Sequence, residues 1–142
     1  MRASDTLIAK IKEFEGYSSV AYKCPAGVWT CGYGTTSGIT PTTRCTRSEA
    51  ERWLRRDLAP IEAYVDTIGQ VKTQSQFDAL VDFAYNLGIG NLKSSTLLKR
   101  IRGGAETEEI KRQFRRWIYS GGKIMPGLVK RREWEASMWE GM

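Results

Sequence analysis

Residues 15–34, EGYSSVAYKCPAGVWTCGYG, carry the pattern that determines how the N-terminal part of this chain folds. Two runs rich in Val, Tyr, Trp and Thr, at 19–23 and 28–34, are separated by CPAG, which predicts a β-hairpin. The same stretch spaces three polar groups as Glu-x8-Cys-x5-Thr: Glu15, Cys24 and Thr30. Because the chain folds back on itself here, we expect a carboxyl, a thiol and a hydroxyl at one edge of a groove.

This triad has the elements of a hydrolytic site. A carboxyl group that faces two small polar groups across a gap is suited to adding water to a glycosidic bond. Glu15 ends a predicted helix, where the partial negative charge of the helix terminus favours the protonated form that a general acid needs. Each residue also has an ordinary alternative: an exposed Glu15, a small buried Cys24, or a β-branched strand residue at Thr30.

The composition excludes several other chemistries. The chain has 142 residues, enough for one domain with a substantial core, and it contains no histidine. This excludes Ser-His-Asp and Cys-His catalysis and HExxH zinc sites. There is no GxxxxGK[ST] loop for phosphate binding. Three cysteines without histidine do not complete a zinc site, so we predict no metal and no cofactor.

The charge is basic, with 22 Lys+Arg against 16 Asp+Glu and a net charge of +6. A basic surface favours nucleic acid, a membrane surface or an acidic wall polymer, or simply maintains solubility. We expect no nucleic-acid partner, because the sequence has no recognised nucleic-acid motif. No apolar run approaches the roughly 20 residues of a membrane span, and the charged start MRASDTLIAKIKEFEG is unlike a signal peptide. We therefore expect neither stable membrane insertion nor a signal peptide.

Hydrophobic periodicity predicts helices on both sides of the hairpin. Residues 5–15 have apolar side chains at helical spacing, and the capping box Thr46-x-x-Glu49 begins a second helix that continues to about residue 68. Pro60 lies inside this helix and should kink or break it near Leu58.

The remaining chain also has helical periodicity. A second capping box, Thr73-x-x-Gln76, precedes FDALVDFAYNLG, which is apolar on most faces and predicts a buried central helix. Three further helices are predicted at 94–102, 106–119 and 127–139.

These elements predict an α+β, mostly helical protein. Residues 1–142 form a single domain, in which a small hairpin lobe, about 16–50, is joined by a long helix to a helical lobe. The helical lobe, about 60–142, also includes the N-terminal helix. Residues 35–44 connect the hairpin to the long helix as a loop that includes a third short strand. A groove between the two lobes is the natural place for a substrate.

In this order, PAGVWT-GYG, FDALVDFAYN-G and GL-KRR resemble the phage-type lysozymes, glycoside hydrolase family 24, the endolysins of tailed phages. The family pattern is Glu-x8-(Asp or Cys)-x5-Thr, and the resemblance covers nearly the whole chain. It implies a lysozyme-like fold and an inverting muramidase that hydrolyses the β-1,4 bond between N-acetylmuramic acid and N-acetylglucosamine. It also implies host cell lysis, bacterial peptidoglycan as the partner, a monomer, and residence in the host cytoplasm until release to the periplasm or wall.

The resemblance also implies roles for individual residues. Glu15 would be the general acid, paired with Arg131 or Arg132, while Cys24, where the family most often has Asp, and Thr30 would hold the attacking water. A nucleophilic role for Cys24, with retention, stays open. Substrate contacts are implied for six residues: Tyr33, Gly34, Thr35, Asn86, Ser95 and Thr96. The family often has His where Thr35 stands.

The odd number of cysteines leaves their pairing open. The family layout favours a Cys31–Cys45 disulfide, or at least a thiol contact, with Cys24 free. The rival pairing, Cys24–Cys31, would occupy the catalytic thiol. The alternative to an enzyme is a catalytically impaired lysozyme fold used as a glycan-binding or scaffolding domain, an idea supported by Cys24 and by the missing His.

Overall fold

The structure, a computed structural model, describes residues 1–141 and is mostly helical, with two small antiparallel sheets. In chain order the elements are α1 (Asp5–Glu15), β1 (Ser18–Lys23), β2 (Trp29–Gly32), α2 (Arg47–Val65), α3 (Gln74–Leu87), α4 (Ile89–Ser94), α5 (Thr96–Arg102), α6 (Thr107–Arg115), β3 (Tyr119–Ser120), β4 (Lys123–Ile124) and α7 (Pro126–Glu140). By their internal contacts, Ile8–Ala59 form one compact unit, and Met1–Leu7 with the chain from Pro60 onward form the other.

Both predicted helix caps are present. The Thr46 N–H donates to Glu49 Oε1 at 3.0 Å, and the Glu49 N–H donates to Thr46 Oγ1 at 3.1 Å, which is the reciprocal capping box. At the start of α3, Thr73 Oγ1 accepts the Gln76 N–H at 3.2 Å. The Gln76 side chain accepts the Lys72 N–H instead of the Thr73 N–H. These bonds satisfy backbone donors that a helix start otherwise leaves without partners.

Of the predicted kink or break near Leu58, the break is wrong, because helix α2 is continuous through Pro60, and the kink stays a prediction. Side chains on one face of the helix are buried on both sides of the proline: Leu54, Leu58, Ile61 and Val65. Their burial offsets the roughly 3 kcal/mol that an interior proline costs a helix. The helix ends at Val65, three residues before the predicted end at residue 68.

The unit Ile8–Ala59 contains the predicted hairpin. Strands β1 and β2 are antiparallel, with Ser18 opposite Gly32 and Tyr22 opposite Thr30. Gly32 has φ +69°, and a Cβ there would lie 3.0 Å from Ala50 Cβ on α2, so this position requires glycine. The segment 35–44 forms no third strand and contributes only isolated β-bridges.

The other unit is built around α3. This helix packs against α4 and α7, α6 packs against α5 and α7, and residues 77–84 of α3 are all buried, as the sequence predicts. The Phe83 ring makes edge-to-face contacts with Phe114 and Trp117, with centroids 6.0 and 5.3 Å apart. The buried Asp78 accepts hydrogen bonds from the N–H and the hydroxyl of Ser4.

A second hairpin was not predicted. Helix α6 ends at Arg115 instead of continuing to residue 119, and β3 pairs with β4 around Gly121 and Gly122. These glycines have φ of 58° and 78°, the left-handed conformation of the tight turns that join two antiparallel strands. The predicted helix 94–102 corresponds to α5, which the short helix α4 precedes.

Candidate active site

Cys24 lies in the turn that joins β1 to β2. Its N–H donates to the Val28 carbonyl at 3.0 Å, and its carbonyl accepts the Gly27 N–H at 2.8 Å. The thiol is half-buried. Thr30, two residues beyond Val28, is buried in β2, and its hydroxyl donates to the Val28 carbonyl at 3.0 Å. The closed turn therefore fixes the backbone on both sides of the thiol.

The turn favours the thiolate form of Cys24. A hydrogen bond from the Val28 N–H lowers the pKa of this thiol most, and the Ala26 N–H and the Thr30 hydroxyl lower it further, while desolvation opposes them. The Thr30 hydroxyl has a single proton, so it donates either to the Val28 carbonyl or to the sulfur. The pKa of the Cys24 thiol therefore depends on Thr30 as well as on the backbone of the turn.

Glu15 is the last residue of α1, and Gly16, at φ +70°, ends the helix. Burial raises the pKa of the Tyr22 phenol, and the negative charges of Glu15 and Cys24 raise it further. The charges of Glu15 and Cys24 therefore both affect the pKa of the Tyr22 phenol. Tyr22 was not among the predicted site residues, although its place on β1, two residues before Cys24 in the turn, was a usable signal.

The predicted substrate-binding residues that follow the hairpin, Tyr33, Gly34 and Thr35, differ in how much of their surface is exposed. Tyr33 is buried, packs on Tyr17 with ring centroids 5.4 Å apart, and has the Lys12 ammonium 5.2 Å from its ring centre. Thr35 is 1% exposed and donates its hydroxyl proton to Asp57 at 2.7 Å. Gly34 is half-buried, with φ +92°. Tyr33 and Thr35 therefore stabilise this unit and present little surface to a ligand.

Ser95 is also used structurally. It is the N-cap of α5: its hydroxyl accepts the Leu98 N–H at 3.0 Å and donates to the Leu92 carbonyl at 2.7 Å. The residue is 3% exposed. These bonds occupy the hydroxyl proton and one of its two acceptor positions, so the structure favours a capping role over the predicted contact with substrate.

Thr96, in contrast, lies at an open site. A cavity of about 270 Å³ is lined by Thr96, Gln113, Arg116 and Trp117. The Arg116 side chain is exposed and donates to Gln113 at 3.4 Å, and the Trp117 ring is half-buried. Sequence reasoning named only Thr96. Two of the lining residues, Arg116 and Trp117, lie in the turn that follows α6. The sequence predicted a longer helix over this turn and therefore did not indicate the cavity.

The two candidate arginines belong to a buried network of charges on α3 and α7. Arg131 forms a two-point ion pair with Asp82, at 2.8 Å from Nη2 and 3.0 Å from Nε. Arg132 faces Glu135, with Nε and Oε1 2.8 Å apart. The predicted partnership of either arginine with Glu15 stays a prediction.

The predicted site residue Asn86 is attached to this network. Its side-chain oxygen accepts a hydrogen bond from Arg132 Nη2 at 2.7 Å. Asn86 is half-buried at the end of α3. The buried arginine therefore holds one end of the Asn86 amide in a fixed orientation.

The network also shifts the pKa values of its two carboxyl groups, Glu135 and Asp82. Burial raises the pKa of Glu135 well above its usual value, and the neighbouring Asp82 raises it further. Burial opposes the ionisation of Asp82 too, but the hydrogen bond from Glu135 and the charge of Arg131 lower its pKa overall. The two shifts have opposite directions, so they favour the protonated form of Glu135 and the ionised form of Asp82.

The predicted contact between Cys31 and Cys45 is confirmed. Their sulfurs are 3.6 Å apart, and both side chains are buried. All three cysteines are free thiols, so neither predicted disulfide is formed. Burial, together with the neighbouring Cys31, raises the pKa of Cys45 to about 11.

Residues 1–141 contain no group of three or more Cys, Asp or Glu side chains placed to hold a metal ion. None of the helices in this part of the chain combines the length and apolar character needed to cross a membrane.

The family model of phage lysozyme matches residues 12–135, and the chain belongs to this family. The endolysin of Bacillus phage B103 is 44% identical over 142 residues, which cover 97% of this chain and 54% of that protein. The endolysin of Acyrthosiphon pisum secondary endosymbiont phage 1 is 36% identical over 147 residues, covering 99% of each. The chain thus spans about half the length of the first relative and nearly all of the second.

The fold has close relatives of known structure. The muramidase domain of SpmX from Asticaccaulis excentricus superposes with a TM-score of 0.87 at 34% identity, covering 97% of each chain. The predicted fold class and the predicted family are both confirmed: the chain has the phage-type lysozyme fold.

Proposed function

We propose that this chain is a peptidoglycan hydrolase of the endolysin type, which cleaves the β-1,4 bond between N-acetylmuramic acid and N-acetylglucosamine. The observation that carries the proposal is the match of residues 12–135 to the phage lysozyme family model, within which Glu15 ends α1, Cys24 lies in the turn between β1 and β2, and Thr30 lies on β2. Its family relatives are named endolysins and a muramidase, which supports the same activity.

In this proposal Glu15 is the general acid. Its carboxyl group donates a proton to the glycosidic oxygen as the bond to the anomeric carbon breaks, so that the leaving sugar departs as a neutral alcohol. Water then attacks the anomeric carbon from the opposite face. Direct attack by water inverts the configuration and leaves no covalent intermediate on the chain.

Cys24 and Thr30 place and activate that water. The Cys24 thiolate accepts the proton that the water loses on attack, and the Thr30 hydroxyl holds the water oxygen or the sulfur. An ordinary thiol is largely protonated at neutral pH, but the hydrogen bonds from Val28 and Ala26 lower the pKa of this one. The turn thereby increases the fraction of Cys24 able to act as a base.

Substrate binding is assigned to the residues that offer exposed polar or aromatic surface. Thr96 and Trp117 would contact sugar rings at the cavity, where an aromatic face packs well against a pyranose. Arg116, exposed at its rim, would attract the carboxylates of the peptide stem. Asn86, oriented by Arg132, would bind an N-acetyl or peptide group, and Gly34 would allow close backbone approach.

The same proposal covers the oligomeric state and the cellular location of the protein. The chain would act as a monomer, remain in the host cytoplasm until release to the periplasm or wall, and lyse the host from there. Its net charge of +6 would favour attraction to anionic wall polymers.

A turbidity assay on permeabilised Gram-negative cells tests the proposal. We expect the native protein to clear the suspension, and Glu15→Gln to lower the rate by at least about a hundredfold, because glutamine cannot donate the proton. Glu13→Gln is the matched control, since Glu13 is exposed on the same helix. Absence of clearing by the native protein, with binding to purified peptidoglycan retained, would favour a glycan-binding domain instead.

A further inference from the structure

The β3–β4 hairpin exposes apolar side chains that the fold does not cover. Tyr119 and Ile124 lie opposite each other across the two strands, so their side chains share one face, and they are 60% and 56% exposed. Met125, the next residue, is 43% exposed. Scattered apolar residues are ordinary on a protein surface, but three large ones within one short segment indicate an interaction site.

Both ends of this hairpin are anchored. The Met125 N–H donates to the Ile118 carbonyl at 2.9 Å, which extends the pairing beyond the two short strands. On one side the Trp117 ring packs edge-to-face on Phe83, and on the other side α7 begins at Pro126. An isolated two-stranded hairpin is only marginally stable in water, so these anchors hold the apolar face in place.

The sequence around the hairpin carries only positive charge. Residues 110–132 contain eight Lys or Arg and no Asp or Glu. Five of these cations form ion pairs with acids that lie outside the segment: Lys111, Arg112, Arg115, Arg131 and Arg132. In the part of the chain that the structure describes, the other three form no ion pair and are exposed: Arg116, Lys123 and Lys130. This surface complements a partner that has anionic groups above an apolar layer.

We propose that the β3–β4 hairpin is a docking surface for a bilayer that contains anionic phospholipids. Tyr119 and Ile124 enter the boundary between headgroups and acyl chains, where aromatic and aliphatic side chains are favoured. Lys123 extends its ammonium group to the lipid phosphates. The association is peripheral and reversible. The inference goes beyond the proposed function, because it concerns a second partner and does not depend on catalysis.

The apolar pair favours a bilayer over an anionic wall polymer. A hydrated polymer offers ion pairs to Lys123 but leaves Tyr119 and Ile124 in water. A bilayer offers phosphates at its surface and acyl chains beneath them, so both the charged and the apolar groups gain. Added salt should weaken the charged part of this binding and leave the apolar part.

Co-sedimentation with vesicles tests the inference. We expect the full chain to bind vesicles of equal parts phosphatidylcholine and phosphatidylglycerol at least about tenfold more strongly than vesicles of phosphatidylcholine alone. The double variant Tyr119→Ser/Ile124→Ser should lower the partition coefficient about tenfold or more, because two apolar side chains no longer enter the bilayer. Lys123→Gln should lower it about fivefold, because one cation near the lipid phosphates is lost.

Two exposed residues elsewhere supply matched controls. Val20→Ser removes an exposed apolar side chain from β1, and Lys72→Gln removes one exposed positive charge before α3. Neither should change the partition coefficient by more than about twofold, because screening limits the reach of a distant charge. Melting temperatures check that every variant folds. A double variant that binds the anionic vesicles as well as the native chain does would overturn the proposal.

Purified peptidoglycan distinguishes a bilayer from the wall as the partner of the hairpin. The double variant should bind peptidoglycan as tightly as the native chain, and both are measured with Glu15→Gln so that the glycan stays intact. Equal losses of affinity for peptidoglycan and for vesicles would assign the hairpin to general anionic binding and overturn the proposal.

Discussion

Cys24 is a thiol at the position of the triad where the resemblance described above implies that a carboxylate is usual. The local backbone compensates in part. Hydrogen bonding from the Val28 and Ala26 backbone and from the Thr30 hydroxyl lowers the pKa of the thiol. Each of these donors stabilises the thiolate relative to the thiol. The sequence identified the residue and its spacing, but only the folded turn reveals the donors.

Substitution at Cys24 tests its assigned role. We expect Cys24→Asp to keep or raise the lytic rate, because a carboxylate accepts the proton from water more readily at neutral pH. Cys24→Ser should keep part of the rate, and Cys24→Ala should lose roughly a hundredfold or more. Turbidity clearing measures the rates, and melting temperatures check that each variant folds. Native-like activity in Cys24→Ala would remove Cys24 from the mechanism.

The pH profile gives an independent test of the same residue. A base must be deprotonated to act, so the rate should rise with pH as the Cys24 thiol ionises. Because the pKa of Cys24 is lowered, this rise should occur below the range of an ordinary thiol. In Cys24→Asp it should move to the carboxyl range. Initial rates on soluble peptidoglycan fragments measure both profiles, and coincident rising limbs would exclude Cys24 as the base.

Helix α3 shows that hydrophobic periodicity predicts which residues are buried but does not predict which charged residues pair. The apolar pattern predicts a buried central helix, and residues 77–84 are indeed all buried. The pattern does not explain Asp82 in the same stretch, whose partner Arg131 is far away in the sequence. Long-range pairing of charges has no local signal, so the sequence could not predict this network.

Two variants distinguish the contributions of Asp82 and Glu135 to the stability of the fold. Asp82→Asn should lower the free energy of unfolding by about 3–5 kcal/mol, because it removes the carboxylate that faces the buried Arg131. Glu135→Gln should cost less, because the raised pKa of Glu135 favours its protonated form and glutamine keeps a donor. Glu133→Gln on the exposed face of α7 is the control, with an expected change below about 1 kcal/mol. Urea unfolding at neutral pH measures all three.

The pH dependence of stability distinguishes the two acids. The lowered pKa of Asp82 contributes stability that is lost as pH falls through the folded-state value. The raised pKa of Glu135 contributes stability that is present at low pH and lost as pH rises. Glu135→Gln should therefore lose less stability than the native protein as pH rises above the ordinary carboxyl range. Equal losses would contradict a raised pKa for Glu135.

Other elements show why local rules were insufficient. The hairpin β1–β2 was predictable because its turn and strand residues are adjacent in sequence. The continuity of α2 through Pro60 was not, because apolar burial on both sides outweighs the local cost of the proline. The hairpin at Gly121 and Gly122 was missed because its two-residue strands are too short to show an alternating pattern.

For the whole molecule, two sequence features predicted the protein class best: the catalytic classes that the composition excludes, and the order of the family motifs. The absence of histidine removed most catalytic classes, and the order of the motifs indicated the family that the comparisons establish. The binding residues were harder to predict. Thr35 and Ser95 carry suitable groups, but their hydroxyls bond to Asp57 and to the backbone around α5. Such use of a polar group depends on tertiary structure and has no separate signature in the sequence.

The most direct measurement of the central claim is the chemical structure of the products. Purified peptidoglycan is digested with the full chain, and the released fragments are analysed by mass spectrometry and NMR. Hydrolysis by Glu15 with water held at Cys24 predicts fragments that end in reducing N-acetylmuramic acid, formed first as the inverted α anomer. Fragments that end in 1,6-anhydro sugars, or no glycan cleavage at all, would contradict it.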